Sequence, residues 1–388
     1  MAGLLKIVIA VLLLFSPGLA QPRHLYLTWE HPDTARTQTV VFQTVGRAID
    51  PKVEFLAEGQ TKAKSFQAKT KMLETIGRRI HWVTLTGLEP GTTYRFRAGD
   101  KKYGMSSWHT FRTLPDDERS LKILTGGDMY RHPETVQLLQ VGRKLNPDVV
   151  LIGGDLAYDD GNINNYPFWD DWFDNWAKHL NQKDGRMVAI IAALGYLEVR
   201  GQFGQPKARA RFFFAYFPQG PEPYFQRKLG REIDLIVLDT GHVTSHQAQV
   251  PFLEKALKES KARFQIALYH VPCYPTHRPY EDYYSAQGRK HWVPIFDRHD
   301  LDIGLENHDH VFKRTHPLRA NKIDPAGTDY LGDGCWGMGA REVVSPRWYH
   351  QKAQTKEHIW LLQNDKNGIK CEAYDIKGRL FDRGIVKE

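Results

Sequence analysis

Four short segments carry side chains suited to holding a hard metal ion. They are Gly126-Gly127-Asp128, Gly153-Gly154-Asp155-Leu156-Ala157-Tyr158, Tyr269-His270-Val271-Pro272 and Glu306-Asn307-His308-Asp309-His310. A hard cation prefers carboxylates, and one carboxylate can bridge two ions. Imidazole is the commonest nitrogen ligand. His308 and His310 stand two residues apart. In extended backbone they share a side, and each can offer a ring nitrogen to a different ion. The paired glycines let the chain turn tightly at a strand end. Each segment alone is weakly diagnostic, since a Gly-Asp after a strand is often only a turn. Asp309 reads either as a hydrogen-bonding support for the histidines or as a solvated acid.

The elements that must position these groups are strands ending in polar residues. Apolar runs of strand length occur at Leu121–Thr125, Val149–Ile152, Met187–Ala193, Leu235–Leu238 and Gln265–Tyr269. Helical patterns lie between them, at Glu134–Lys144, Tyr166–His179 and Gln249–Lys258. Open α/β sheets build sites at such carboxyl ends. The aromatics of Phe168-Trp169-Asp170-Asp171-Trp172-Phe173 recur at helical spacing and read as core. Before residue 115 the pattern is all β, with alternating runs at His24–Trp29, Thr39–Thr44, Ile80–Leu85 and Thr93–Ala98. Leu88-Glu89-Pro90-Gly91-Thr92-Thr93-Tyr94 predicts a turn to which the following tyrosine bonds back. Trp108–Leu114 reads as the last strand and residues 115–119 as a linker. The expected organisation is a β-sandwich over 22–115, then a mixed α/β domain over 120–388.

Composition sets the bounds. The 388 residues are 41% hydrophobic, 25% charged and 12% aromatic, enough to bury a sizeable core. The net charge of +8 is interspersed, which suits anionic small molecules and no nucleic acid. Cys273, Cys335 and Cys371 allow one disulfide at most, and no Cys-x-x-Cys pair offers a thiolate zinc site. Lys6, the apolar run Ile7–Phe15 and Gly18-Leu19-Ala20 read as a signal peptide over 1–20, cut after Ala20. No later stretch is apolar enough to span a bilayer. The expected product is secreted or periplasmic and free of the membrane.

Taken in order, the four segments resemble the metallophosphoesterases, specifically the purple acid phosphatases, and the all-β segment resembles a fibronectin type III domain. The resemblance implies an N-terminal fibronectin-like sandwich followed by a four-layer αββα domain. It implies that Asp128, Asp155, Tyr158 and His310 bind Fe(III). Asp155, His270 and His308 would bind a second ion, Fe(II), Zn(II) or Mn(II). Phosphate esters or phosphate are the implied partners. Asn307 stands where many members have Gly.

One motif departs. The family has Gly-Asn-His-Glu or Gly-Asn-His-Asp where this chain has Gly195-Tyr196-Leu197-Glu198. The Asn that would ligate the second metal is Tyr196, a larger group. The His that would contact phosphate and assist proton transfer is Leu197, which neither coordinates nor donates. His277, shortly after His270, is a candidate replacement proton donor or a surface histidine. The expectation is a dinuclear phosphomonoesterase scaffold with impaired hydrolysis. The alternatives are an active acid phosphatase with a rearranged site, or a non-catalytic metal- or phosphate-binding or docking protein.

Overall fold

The computed structural model describes residues 22–46, 48–100 and 104–386. The expected leader, 1–20, lies outside them. Among the described residues no helix is long and apolar enough to cross a membrane.

Residues 23–112 form two sheets. One orders the strands Arg23–Thr28, Gln38–Val45, Arg78–Leu85 and Lys69–Leu73. The other is built around Pro51–Ala57 and Thr93–Asp100. Side chains alternate between faces along a strand. Val40, Phe42, Val83 and Leu85 therefore meet Val53, Phe55, Phe96 and Ala98 between the sheets. The intervening residues Val41 and Ile80 face the other way, onto the Trp169, Phe173 and Tyr216 cluster of the following domain. This explains why Gln38–Val45 is buried almost throughout. The Glu89 N–H donates to Tyr94 Oη at 2.8 Å, closing the expected turn.

From Lys122 onward two larger sheets pack face to face. The first runs in the order Ala189–Ala192, Val149–Ile152, Lys122–Gly126, His358–Asp365, Gly368–Asp375, Leu380–Val386. The second has seven strands, with Ile233–Val237, Phe264–Leu268, Ile303–Leu305 and Asp329–Gly332 parallel at its centre. Period-2 alternation again builds the layers. Ile123, Leu151 and Ile191 meet Leu235, Ile266 and Ile303 between the sheets. Leu124, Val150 and Ile190 face outward onto helices Pro133–Leu145 and Tyr166–His179. Ile236 and Ala267 face helices Val250–Glu259 and Val293–Arg298. The result is the four-layer αββα arrangement.

The two parts are tied by specific bonds across a continuous apolar interface. Tyr26 Oη donates to the Tyr216 carbonyl. Arg78 pairs with Asp170 at 2.8 Å. Arg227 donates to the Trp29 carbonyl at 2.8 Å and 3.1 Å. The Gln219 amide bonds both backbone groups of Ala192 at 2.9 Å, fixing the sheet edge just before the Gly195 turn. Cys273, Cys335 and Cys371 are buried and free, so no disulfide joins them.

Candidate metal centre

Strand carboxyl ends of both sheets converge on one buried cluster. Asp128 follows Lys122–Gly126 and Asp155 follows Val149–Ile152. His270 follows Phe264–Leu268, and His308 follows Ile303–Leu305. One ligand atom from each of these four lies within 4.8 Å of the others, and all four residues are buried. His310 joins through Nε2, 2.9 Å from Asp128 Oδ1. Tyr158 Oη is 3.4 Å from the same nitrogen. All six residues named from the sequence thus come together.

The backbone is strained where these groups project. Asp128, Asp155, Tyr158, His308 and His310 all have positive φ, between 52° and 75°. A non-glycine residue there costs about 1 kcal/mol or more, and such residues cluster at functional sites. The surroundings hold them in place. Asp128 Oδ2 accepts the His308 N–H at 2.9 Å. Asn307 fills the space above two glycines: a Cβ on Gly153 would lie 1.7 Å from Asn307 Nδ2, and one on Gly127 2.5 Å from Oδ1. Its Nδ2 also donates to the Tyr269 carbonyl at 2.9 Å. Asn307 therefore fits where a glycine would leave a gap. Asp309 is a support, not a solvated acid. It is fully buried and accepts the N–H groups of Thr276, His277 and Arg278, plus Arg278 Nη1 at 2.7 Å.

The electrostatics suit a cation. His270 Nδ1 lies 2.8 Å from the Gly153 carbonyl, so it carries a proton and turns Nε2 inward. That Nε2 is 3.3 Å from Asp155 Oδ1 and 3.0 Å from His308 Nδ1. Three groups that prefer to accept thus face one another, and a positive charge between them relieves the conflict. A proton on His270 is one solution. Burial alone would lower its pKa, but the Asp155 carboxylate raises it to about 9. A metal ion is the other, and the donor set fits one. Burial, and then the positive His270, push His308 well below its ordinary value. Burial and the two aspartates push the Tyr158 phenol well above its own.

The Gly195–Glu198 turn sits directly against this cluster. Glu198 is buried and accepts from the N–H groups of Asp155, Leu156 and Gly195 at 2.9, 2.7 and 2.9 Å. Burial and the nearby Asp155 push its pKa up to about 8. The Leu197 N–H donates to Asp155 Oδ1 at 2.7 Å. The Tyr196 ring centre is 5.4 Å from that of His308. His277 lies outside the cluster, its Nδ1 2.9 Å from the Glu342 carbonyl. His242, buried 5.6 Å from the His270 ring, bonds Thr240 and the Gln202 carbonyl, and burial lowers its pKa to about 3. Arg278 was not singled out in the sequence. Its Nη1 donates to the His308 carbonyl at 2.9 Å, and its place beside His277 was the only local signal.

Residues 22–113 match the family of the purple acid phosphatase N-terminal domain. Purple acid phosphatase 15 of Arabidopsis thaliana is 26% identical over 302 residues, covering 69% of this chain and 54% of that protein. Purple acid phosphatase 21 of the same plant is 24% identical over 298 residues, covering 72% and 62%. The match therefore spans less than two thirds of either relative. Among solved structures, PhoD superposes with a TM-score of 0.67 at 12% identity over 92% of this chain and 91% of its own. GAP50, described as the anchor in the inner membrane complex of Plasmodium, gives 0.52 at 13% identity over 69% and 89%. At those identities the likeness is one of fold. The N-terminal match, the relatives that extend it and the shared fold together make this chain similar to the purple acid phosphatases.

Proposed function

We propose that the chain is an exported phosphate-ester-binding metalloprotein whose hydrolysis of phosphomonoesters is impaired. The observation that carries this reading is the Gly195–Glu198 turn. Its backbone is held against the cluster by Glu198, which accepts three N–H groups. Its two chemical positions hold Tyr196 and Leu197. In this reading Asp128, Asp155, Tyr158 and His310 hold the first ion, Fe(III). Asp155, His270 and His308 hold a weakened second site for Fe(II), Zn(II) or Mn(II). Bound metal would supply Lewis-acid polarisation of the phosphate and a water-derived nucleophile near neutral pH.

The chain's own residues set the limits. His270 presents Nε2 because Gly153 takes the Nδ1 proton. Asp155 Oδ1 is shared with the Leu197 N–H. No side chain at 197 can protonate a leaving alkoxide, a task that a positioned acid accelerates by about 10²–10⁴-fold. His277 has Nδ1 committed to Glu342.

Export rests on the leader read over residues 1–20, with domains over 22–115 and 120–388. Mass spectrometry of the secreted or periplasmic protein should give an N-terminus near Gln21. For the centre, the test is orthophosphate binding by calorimetry and phosphomonoester turnover on one metal-loaded preparation. Binding with very slow turnover is expected. Turnover at ordinary enzyme rates overturns the impairment, and absence of phosphate binding overturns the reading of the site.

A further inference from the structure

Beside the buried cluster runs a wall of aromatic rings that the folding of the sheets does not explain. Phe203 is stacked between His242, centroids 4.7 Å apart at 16°, and Tyr284, 3.5 Å apart at 12°. Tyr196 stands edge-on to Phe203 at 5.3 Å and reaches His308 at 5.4 Å. Tyr283 continues the row, 5.0 Å from Tyr284 and 64% exposed. Tyr196, Phe203 and Tyr284 are each only partly buried. An exposed run of large rings that ends in a polar cluster is a feature of binding surfaces.

A cation stands over the same cluster. Arg278 Nη1 is held by the His308 carbonyl at 2.9 Å and Asp309 Oδ1 at 2.7 Å. Its Nη2 and Nε have no partner among the described residues, and its side chain is 26% exposed. Asp309 also takes the backbone N–H of Arg278, so the guanidinium is fixed before any ligand arrives. A rigid guanidinium fork matches phosphate oxygens, and preorganisation lowers the cost of binding. Arg278 bonds the His308 carbonyl and the Tyr196 ring lies against the His308 imidazole, so cation and wall flank one residue of the cluster.

We propose that this centre takes phosphate esters whose organic part is a planar aromatic group, gripped at the phosphate by Arg278 and packed against Tyr196 and the open edge of the Phe203–Tyr284 stack. The inference rests on the phosphate-ester reading above and names its substrate class. An alkyl ester would leave the wall wet, whereas an aryl ester covers it. Replacing the family's Asn by Tyr196 then exchanges a ligand atom for a ring that meets the organic group.

The test is calorimetric binding of two inert probes, phenylphosphonate and methylphosphonate, to the full chain reconstituted with Zn(II), with inorganic phosphate as reference. Phenylphosphonate should bind about tenfold more tightly, the size expected of one good aromatic contact with its buried area. Phe203→Leu and Tyr283→Ser should each narrow that ratio by weakening phenylphosphonate more than methylphosphonate. Arg278→Met should weaken both probes about tenfold and keep the ratio. Tyr283 is exposed enough that its variant stays folded if the Phe203 variant does not. Equal binding of the two probes overturns the aromatic preference while phosphate binding survives. A tenfold ratio that outlasts both wall substitutions overturns the wall, and unchanged affinity in Arg278→Met overturns the grip. If neither probe nor phosphate binds, the inference and the reading beneath it both fall.

Discussion

The sharpest perturbation is the double substitution Tyr196→Asn with Leu197→His. The bonds that shape this turn come from the backbone and Glu198: the Leu197 N–H on Asp155 at 2.7 Å and the Gly195 N–H on Glu198 at 2.9 Å. Neither depends on the side chains being replaced, so the turn should keep its form. The stability cost is the loss of the Tyr196 ring against Phe203 and His308. Two such contacts are worth about 1–3 kcal/mol together. A restored acid contributes about 10²–10⁴-fold, and the lower figure is about 2.7 kcal/mol of barrier. We expect kcat/KM for a phosphomonoester to rise at least about 10²-fold while the melting temperature falls by a few degrees. Leu197→His alone should recover less, since its phosphate contact presupposes a seated second metal and such groups act as a unit. Both proteins are loaded with the same metals and assayed at acidic and neutral pH. Equal turnover with equal metal content would refute the reasoning, because Tyr196 and Leu197 would then not be what limits hydrolysis.

The other expectations are simpler to check. Elemental analysis after dialysis against chelator should find about one metal per chain, because Asp128, Asp155, Tyr158 and His310 give a fuller donor set than Asp155, His270 and His308; two retained ions would show Tyr196 or another group ligating. Gly195→Ala would place a Cβ 2.2 Å from Asp155 N and 2.5 Å from its Oδ1, so it should cost about 1–3 kcal/mol in thermal unfolding and impair metal retention. His358 is buried among Phe312, Trp360 and Phe381, and burial lowers its pKa to about 4. Its folded value lies below its unfolded one, so the unfolded chain binds the proton first and stability is lost as pH falls from about 6.5 to 4. The stability of His358→Gln should fall less over that window, by on the order of 3 kcal/mol, and parallel pH curves would rule out His358 as the source.

What was legible in the sequence was local. Gly-Asp after an apolar run marks a strand end whatever surrounds it, so Asp128 and Asp155 could be placed without a fold. Tyr166–His179 showed its helix because four buried aromatics repeat at helical spacing. What was not legible depends on tertiary neighbours. Helix Tyr283–His291 carries polar residues and Gly288 in its middle, which reads as a break. The glycine is there because a Cβ would sit 2.6 Å from Cys273 Sγ, a residue on another segment. The strands His358–Asp365 and Gly368–Asp375 complete the first sheet, but a run such as Ile359-Trp360-Leu361-Leu362 does not distinguish strand from helix. The Met187–Ala193 run is longer than its strand, Ala189–Ala192, because the Met187 N–H leaves the ladder to bond Thr110 of the N-terminal part. Phe203 and Tyr284 had no signal and Arg278 only its place beside His277, since two loops and a helix far apart in the chain bring them to one place.

The Gly195–Glu198 turn separates two demands that a motif usually hides. Gly195 is required by space, since any Cβ would strike Asp155. Glu198 is required by the backbone, because it satisfies three N–H groups that would otherwise be buried without partners. Losing either would disturb Asp155 itself and with it the set shared by both candidate metals. Positions 196 and 197 carry no such load: their side chains are partly exposed, and the Leu197 contact to Asp155 is made by its backbone. A change at 196 and 197 can therefore remove ligation and proton transfer while the cluster of Asp128, Asp155, His270 and His308 stays assembled. An intact cluster beside such a turn agrees with the proposed reading, in which phosphate-ester binding is kept and hydrolysis is impaired. A chain that had lost both demands would have no physical reason to hold five candidate ligands at positive φ.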